Sequence, residues 1–109
     1  MKPIKVYISG PYSESDTMVN IATAILIAER LIIHGFHPKV PHLSGFWHFL
    51  APHSYEFWLE YDKIELLECD AIYRICGKSK GADMEEQFAV DNNIPIFYSV
   101  DLLILHFHK

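Results

Sequence analysis

Apolar and polar residues alternate over positions 4–9, where Ile4, Val6 and Ile8 interleave with Lys5, Tyr7 and Ser9. A two-residue period with β-branched members predicts a strand. Gly10-Pro11 ends it. Residues 17–34 are apolar-rich over a helical length, with N-cap candidates at 13–16 and a stop at Gly35. A short second strand is expected at 37–40. Residues 41–54 carry Pro41, Gly45 and Pro52 together with three histidines and Trp47, and read as a long ordered loop, a feature that in compact domains usually signals function. A helix over 55–68, a strand over 70–76, a polar turn at 77–80, a helix over 81–92 and a strand over 95–98 complete the pattern. The tail, 99–109, is apolar around Leu102, Leu103, Ile104 and Leu105. It reads as a last helix or strand that docks on the sheet or on a partner.

Strands that alternate with helices form βαβ units. The expected fold is therefore α/β, a three-layer doubly wound parallel sheet of Rossmann/flavodoxin-like type with about four to five strands, covered on both faces. Residues 1–109 form one domain, without repeats or linkers. In such sheets ligands bind beyond the carboxyl ends of the strands. That edge collects residues 9–13, the 41–54 segment and 77–81.

Two acids break the apolar stripes. At about 100° per residue, Ala82, Phe88 and Ala89 share a face of the 81–92 helix and Glu85 projects into its middle. Asp83, Gln87 and Asp91 take the opposite face. On the 55–68 helix Tyr55, Trp58, Leu59 and Leu66 share a stripe, and Asp62 lies between Trp58 and Leu66. Burying an unpaired carboxylate costs on the order of several kcal/mol, so two such placements point to a site. Glu85 is expected in about the first turn of its helix, where the N-terminal partial charge and spare N–H groups keep a carboxylate ionised, as a nucleophile requires. Glu86, a step away around the helix, should be more exposed. The competing readings are a glutamate that stabilises its own helix and an aspartate that pairs with Lys63 or the backbone.

The remaining candidates are weaker alone. Ser79-Lys80-Gly81 before a helix offers a hydroxyl, a close backbone approach and free N–H groups for an anion, or is an ordinary turn. Asp83 argues mildly against phosphate there. Tyr7 faces away from Ile4, Val6 and Ile8, so its hydroxyl can reach a carboxylate or simply pack under a helix. Gly10 stands at the ligand edge. Tyr12, Trp47 and Trp58 are candidates to stack on a flat base. His42, His48 and His53 match no zinc spacing, so no metal or other cofactor is expected; His42 is the histidine assigned a ligand contact. No GxSxG elbow supports a serine hydrolase.

Composition narrows the partners. Of 109 residues, half are hydrophobic and 21% charged, with a net charge of -5. That balance opposes binding to a nucleic-acid polymer, which calls for a basic patch. Cys69 and Cys76 lack a CxxC spacing and read as reduced core residues of a cytoplasmic protein. The first residues run straight into a strand, so no signal peptide is expected, and the longest apolar run, 21–33, is too short and charged to span a bilayer.

The runs KVYISGPYS, DKIELLECD and SKGADMEEQFA, in this order over most of residues 4–98, resemble the nucleoside 2-deoxyribosyltransferase-like superfamily. That group includes 2-deoxyribosyltransferases, 2′-deoxynucleoside 5′-phosphate N-hydrolases and small uncharacterised phage and bacterial relatives. The GPYS start and Pro41-His42 look most like the last. The resemblance implies that Glu85, with Ala89 four residues on, is the nucleophile. Asp62, eight residues before Asp70, matches the active-site aspartate, and Tyr7 matches the tyrosine that hydrogen-bonds the glutamate. Ser79 and Gly81 match the residues that hold a 5′-phosphate. The first loop, Gly10-Pro11-Tyr12-Ser13, lacks the basic residue of the N-hydrolases.

The implied activity is cleavage of the N-glycosidic bond of a nucleoside or nucleotide by hydrolysis or transfer, in a homodimer or higher homo-oligomer. Glu85 would attack the anomeric carbon, Tyr7 would orient it, and Asp62 would contact sugar hydroxyls or protonate the departing base. The alternative is a non-catalytic module on the same fold that binds and senses a nucleotide.

Overall fold

A computed structural model describes residues 2–108; Met1 and Lys109, the last residue of the tail reading, lie outside the described residues. The chain runs β1 (Ile4–Ser9), α1 (Thr17–Ile33), β2 (Phe36–Lys39), a 3-10 turn (Pro41–Leu43), α2 (Ser44–Leu50), α3 (Tyr55–Leu67), β3 (Ala71–Arg74), α4 (Lys80–Asp91), β4 (Ile96–Phe97) and α5 (Val100–Phe107). The four strands form one parallel sheet in the order β2-β1-β3-β4. The fold is α/β, a parallel sheet flanked by five helices and consistent with the three-layer Rossmann/flavodoxin-like type.

Strand alternation sorts the core into two faces. Val6, Ile8, Ala71 and Tyr73 pack with Ala24, Ala28 and Leu31 of α1 and with Val100 and Leu103 of α5. Tyr7 and Ile72 point the other way, against Leu66 of α3, Cys69, and Ala89 of α4. The tail is thus a helix that docks on the sheet, capped by the Ser99 hydroxyl accepting from the Leu102 N–H. Asp16 caps α1 through the Val19 N–H at 3.1 Å, and Gly35 turns the chain out of it with a φ of 84° that suits only glycine well.

The 41–54 segment differs from its expectation as a loop. Its first ten residues wind into the 3-10 turn and α2, leaving only 51–54 as connection. Aromatic packing explains the gain of structure. Trp47 meets Trp58 and Tyr61 of α3 edge-on, each with ring centroids 5.6 Å apart, and Trp58 Nε1–H donates to His48 Nδ1 at 2.8 Å. Such long-range contacts override local turn propensity. β3 is shorter than the 70–76 reading because the chain leaves the sheet after Arg74. Cys76 is therefore exposed rather than core, whereas Cys69 is buried, and burial pushes its thiol up to about 11.

Large apolar residues remain exposed on α1 (Met18, Leu26, Ile33) and α2 (Phe46, Phe49, Leu50). Among the described residues no helix is long and apolar enough to cross a membrane.

Candidate functional site

The carboxyl ends of β1 and β3 lie side by side, with Ser9 in register with Arg74. Tyr7 and Ser9, two residues apart, therefore share the face that α4 covers. Both are fully buried, and both bond the same carboxylate. Tyr7 donates its hydroxyl to Oε2 of Glu85 at 2.5 Å, and Ser9 donates to Oε1 at 2.7 Å. Ser9 was not among the residues singled out from the sequence. The period that places Tyr7 on this face places Ser9 there too, so the signal was present.

Glu85 corrects one expectation. Ser79 is the N-cap of α4, its Oγ accepting from the Ala82 N–H at 3.1 Å, which puts Glu85 in the second helical turn. The spare N–H groups and the dipole act within the first turn and do not reach it. Burial instead raises the Glu85 carboxyl above its ordinary range, opposed by the Tyr7 and Ser9 hydrogen bonds and by the charge of Arg74. Glu86 and Glu85 are both half-buried, and the Glu86 side chain keeps 31% exposure. It is turned to another partner: Tyr98 donates to it at 2.9 Å.

Asp62, from α3, is pushed up to about 7, first by burial and then by the Glu85 charge; Lys39 pulls it down, and Glu65 adds to the rise. Lys39 is itself engaged with Glu65 at 3.3 Å. A carboxylate whose proton affinity is raised by burial and by a second carboxylate in the same cleft is a common arrangement for acid–base chemistry.

Both acids line one cavity of about 420 Å³, within the size range of small-molecule sites. Gly10, Tyr12, His42, Trp58, Ser79 and Gly81 also line it, as do His48, His53, Tyr55 and Leu59. The apolar stripe of α3 is thus a cavity wall for its first two turns and core only at Leu66, which is fully buried. The hydrogen bond to His48 fixes the Trp58 indole. Tyr12 lies over Gly45, where a Cβ would overlap its hydroxyl. Gly10 presses on Ile75, whose Cβ is 2.7 Å from where a Gly10 Cβ would stand, so only glycine fits without a shift. At Gly81 the space is open, with Tyr55 Oη 3.8 Å away as the nearest atom.

Trp47 falls outside this cavity. It lines a neighbouring one of about 370 Å³ that also reaches Asp62, and its contacts with Trp58 and Tyr61 support the wall from behind. Among the described residues no group of three or more His, Cys, Asp or Glu is placed to hold a metal ion.

Arg74 is the other residue that sequence reasoning passed over. Its side chain is 8% exposed. It donates to the Ile75 carbonyl at 2.6 Å, the Gly77 carbonyl at 3.1 Å and Asp83 Oδ1 at 2.8 Å, and its Nε lies 3.8 Å from Glu86. It clamps the β3–α4 turn to the first two turns of α4. Asp83 thereby points at Arg74 and away from the cavity. A single arginine in a strand-end tetrapeptide carries no pattern that announces this role.

Compared with models of protein families and with curated proteins, the chain matches none.

Proposed function

We propose that this protein cleaves the N-glycosidic bond of a nucleoside or its 5′-monophosphate through Glu85, by hydrolysis or by transfer to a second base. The observation that carries the reading is that Glu85 and Asp62 line one cavity while hydroxyls from Tyr7 and Ser9 hold both Glu85 oxygens. A carboxylate oxygen has two lone pairs, so each keeps one for another partner. The resemblance of KVYISGPYS, DKIELLECD and SKGADMEEQFA to the nucleoside 2-deoxyribosyltransferase-like superfamily supports the same residues in the same roles.

In this scheme a Glu85 oxygen bonds to the anomeric carbon as the C–N bond breaks. The electron pair of that bond leaves with the base, which takes a proton from Asp62. An acid held at about 7 is well matched to that transfer near neutral pH. Water then gives a proton to the Asp62 carboxylate and attacks the anomeric carbon, which frees the sugar and restores Glu85. A base in place of water completes a transfer. Tyr12, Tyr55 and Trp58 supply aromatic wall for the departing base. The exposed apolar residues of α1 and α2 support an assembly of like subunits, which light scattering at micromolar concentration tests.

The deciding experiment is a panel of ribo- and deoxynucleosides with their 5′-monophosphates, scored for free base, with and without an acceptor base. Glu85→Gln should abolish base release while leaving the far-ultraviolet spectrum intact. A fully active Glu85→Gln protein would sink the scheme. Ligand-induced thermal stabilisation without turnover by the native protein would favour the sensing module instead.

A further inference from the structure

One atom carries the polar fastening of α2. The helix is seven residues long, none of them buried, and no side chain caps its N-terminus. A helix so short does not hold its form in water without tertiary contacts. Ser44 donates only to the neighbouring Pro41 carbonyl, at 2.8 Å. Among the described residues, the two hydrogen bonds that tie an α2 side chain to later parts of the chain both end on His48 Nδ1. Trp58 Nε1–H of α3 donates to it at 2.8 Å, and the His53 backbone N–H donates at 3.2 Å. Trp47 adds edge-on ring contacts to α3, and Tyr12 packs over Gly45. Neither contact is as directional as a hydrogen bond. What these bonds hold is a cavity wall, since Ser44, Gly45 and His48 line the cavity together with His53 and Trp58.

An indole N–H and a backbone N–H can only donate, so Nδ1 is unprotonated and the neutral ring carries its proton on Nε2. A second proton would place an N–H on Nδ1, against two other N–H groups, and both bonds would be lost together. Histidine is the side chain whose charge ordinarily changes between about pH 5 and 8. Charged neighbours around the cavity bear on that step. Glu14 of the loop after β1, Asp62 of α3 and Glu85 of α4 favour the imidazolium when ionised, whereas Lys80 of α4 opposes it, as do His42 and His53 when charged. The phenols of Tyr12 and Tyr55 complete the titratable lining.

We propose that His48 is a pH-sensitive latch. In its neutral form it holds α2 and the 51–54 connection against α3 as a wall of the cavity, and on protonation it releases them and opens the cavity. The inference goes beyond the N-glycosidase reading and does not depend on it.

The test is NMR on the full chain without ligand, from about pH 8 to about pH 5. A Trp47→Phe variant tells the two indole N–H resonances apart. The Trp58 indole signal should move upfield as pH falls, in step with the ring signals of His48. Amide protection over residues 48–51, corrected for the intrinsic exchange rate, should fall several-fold. His48→Asn, whose Oδ1 stands near the place of Nδ1 and does not titrate, should hold both readouts at their alkaline values. His48→Leu should show the released values throughout. An indole transition that persists in His48→Asn, or that vanishes in Asp62→Asn, assigns the effect to another group and overturns the proposal. Protection over 48–51 that is the same at both ends of the range in the native protein overturns it as well.

Discussion

Tyr7 donates its hydroxyl to Oε2 of Glu85 across 2.5 Å, joining β1 to the second turn of α4 over 78 residues of sequence. The phenol is wholly buried, and burial with the Glu85 charge raises its pKa well above the ordinary value, so it remains a donor at every pH near neutrality. Ser9 completes the cradle at the other oxygen. A half-buried carboxylate is thereby kept in one orientation toward the cavity.

Tyr7→Phe removes a donor to a charged, desolvated acceptor. The expected loss of stability is about 1.5–3 kcal/mol, read by chemical denaturation. Because the Tyr7 bond pulls the Glu85 pKa down, the variant should also move the acidic limb of the pH–rate profile to higher pH. Ser9→Ala should act in the same direction. A limb that stays in place in both variants would separate the two hydroxyls from Glu85 ionisation.

Glu85 must be ionised to attack and Asp62 protonated to donate, so kcat/KM should be bell-shaped in pH, with its alkaline limb near the Asp62 value of about 7. Asp62→Asn should lower kcat by about 10²–10⁴ and flatten that limb. A substrate whose base leaves without protonation should be much less affected, and the comparison of good and poor leaving groups checks the assignment.

The same shift governs stability. Asp62 titrates near 7 in the fold against an ordinary value of 3.8. Between these values the folded state binds more protons than the unfolded one, so stability falls as pH rises. Glu85 is raised as well and acts with the same sign. These two carboxyls favour the fold near pH 5 over pH 8, whereas His42, whose pKa burial lowers, opposes them as pH falls below 6.5. Asp62→Asn should raise stability at pH 8 by about 1–3 kcal/mol and change it little near pH 4. Thermal melts across pH read both effects.

Arg74→Met should cost about 2–4 kcal/mol, because the Ile75 and Gly77 carbonyls lose a charged donor. Asp83→Asn should cost less than about 1 kcal/mol, since Asp83 is 69% exposed and its charge is solvated without the partner. Arg74→Met should also raise the Glu85 pKa, whereas Arg74→Lys, which keeps the charge, should raise it less. Carboxyl-carbon NMR titration checks this without any assay of activity.

The sheet and its helices were legible because their signals are local. Val6 and Ile8 alternate with Tyr7, α1 is rich in apolar residues, and Gly35 stops it. The two acids were legible for the same reason, as breaks in a periodic stripe. The 41–54 segment was not, since Trp47 gains its helical setting from Trp58 and Tyr61 on another element. Nor was the environment of Glu85. Its place in the second turn depends on Ser79 as the cap, and its partners come from a strand far away in sequence.

By itself the sequence determined the α/β class, the order of elements outside the 41–54 segment and the two carboxylates that interrupt apolar faces, because periodicity and capping act within a few residues. Tertiary structure alone decided that Asp62 and Glu85 share a cavity, that Ser9 and Arg74 serve Glu85, and that Trp47 stands behind the wall rather than in it. Those outcomes depend on which surfaces meet when α3 and α4 pack on the sheet, and on burial, which sets the proton affinity of each acid only once the neighbours are in place.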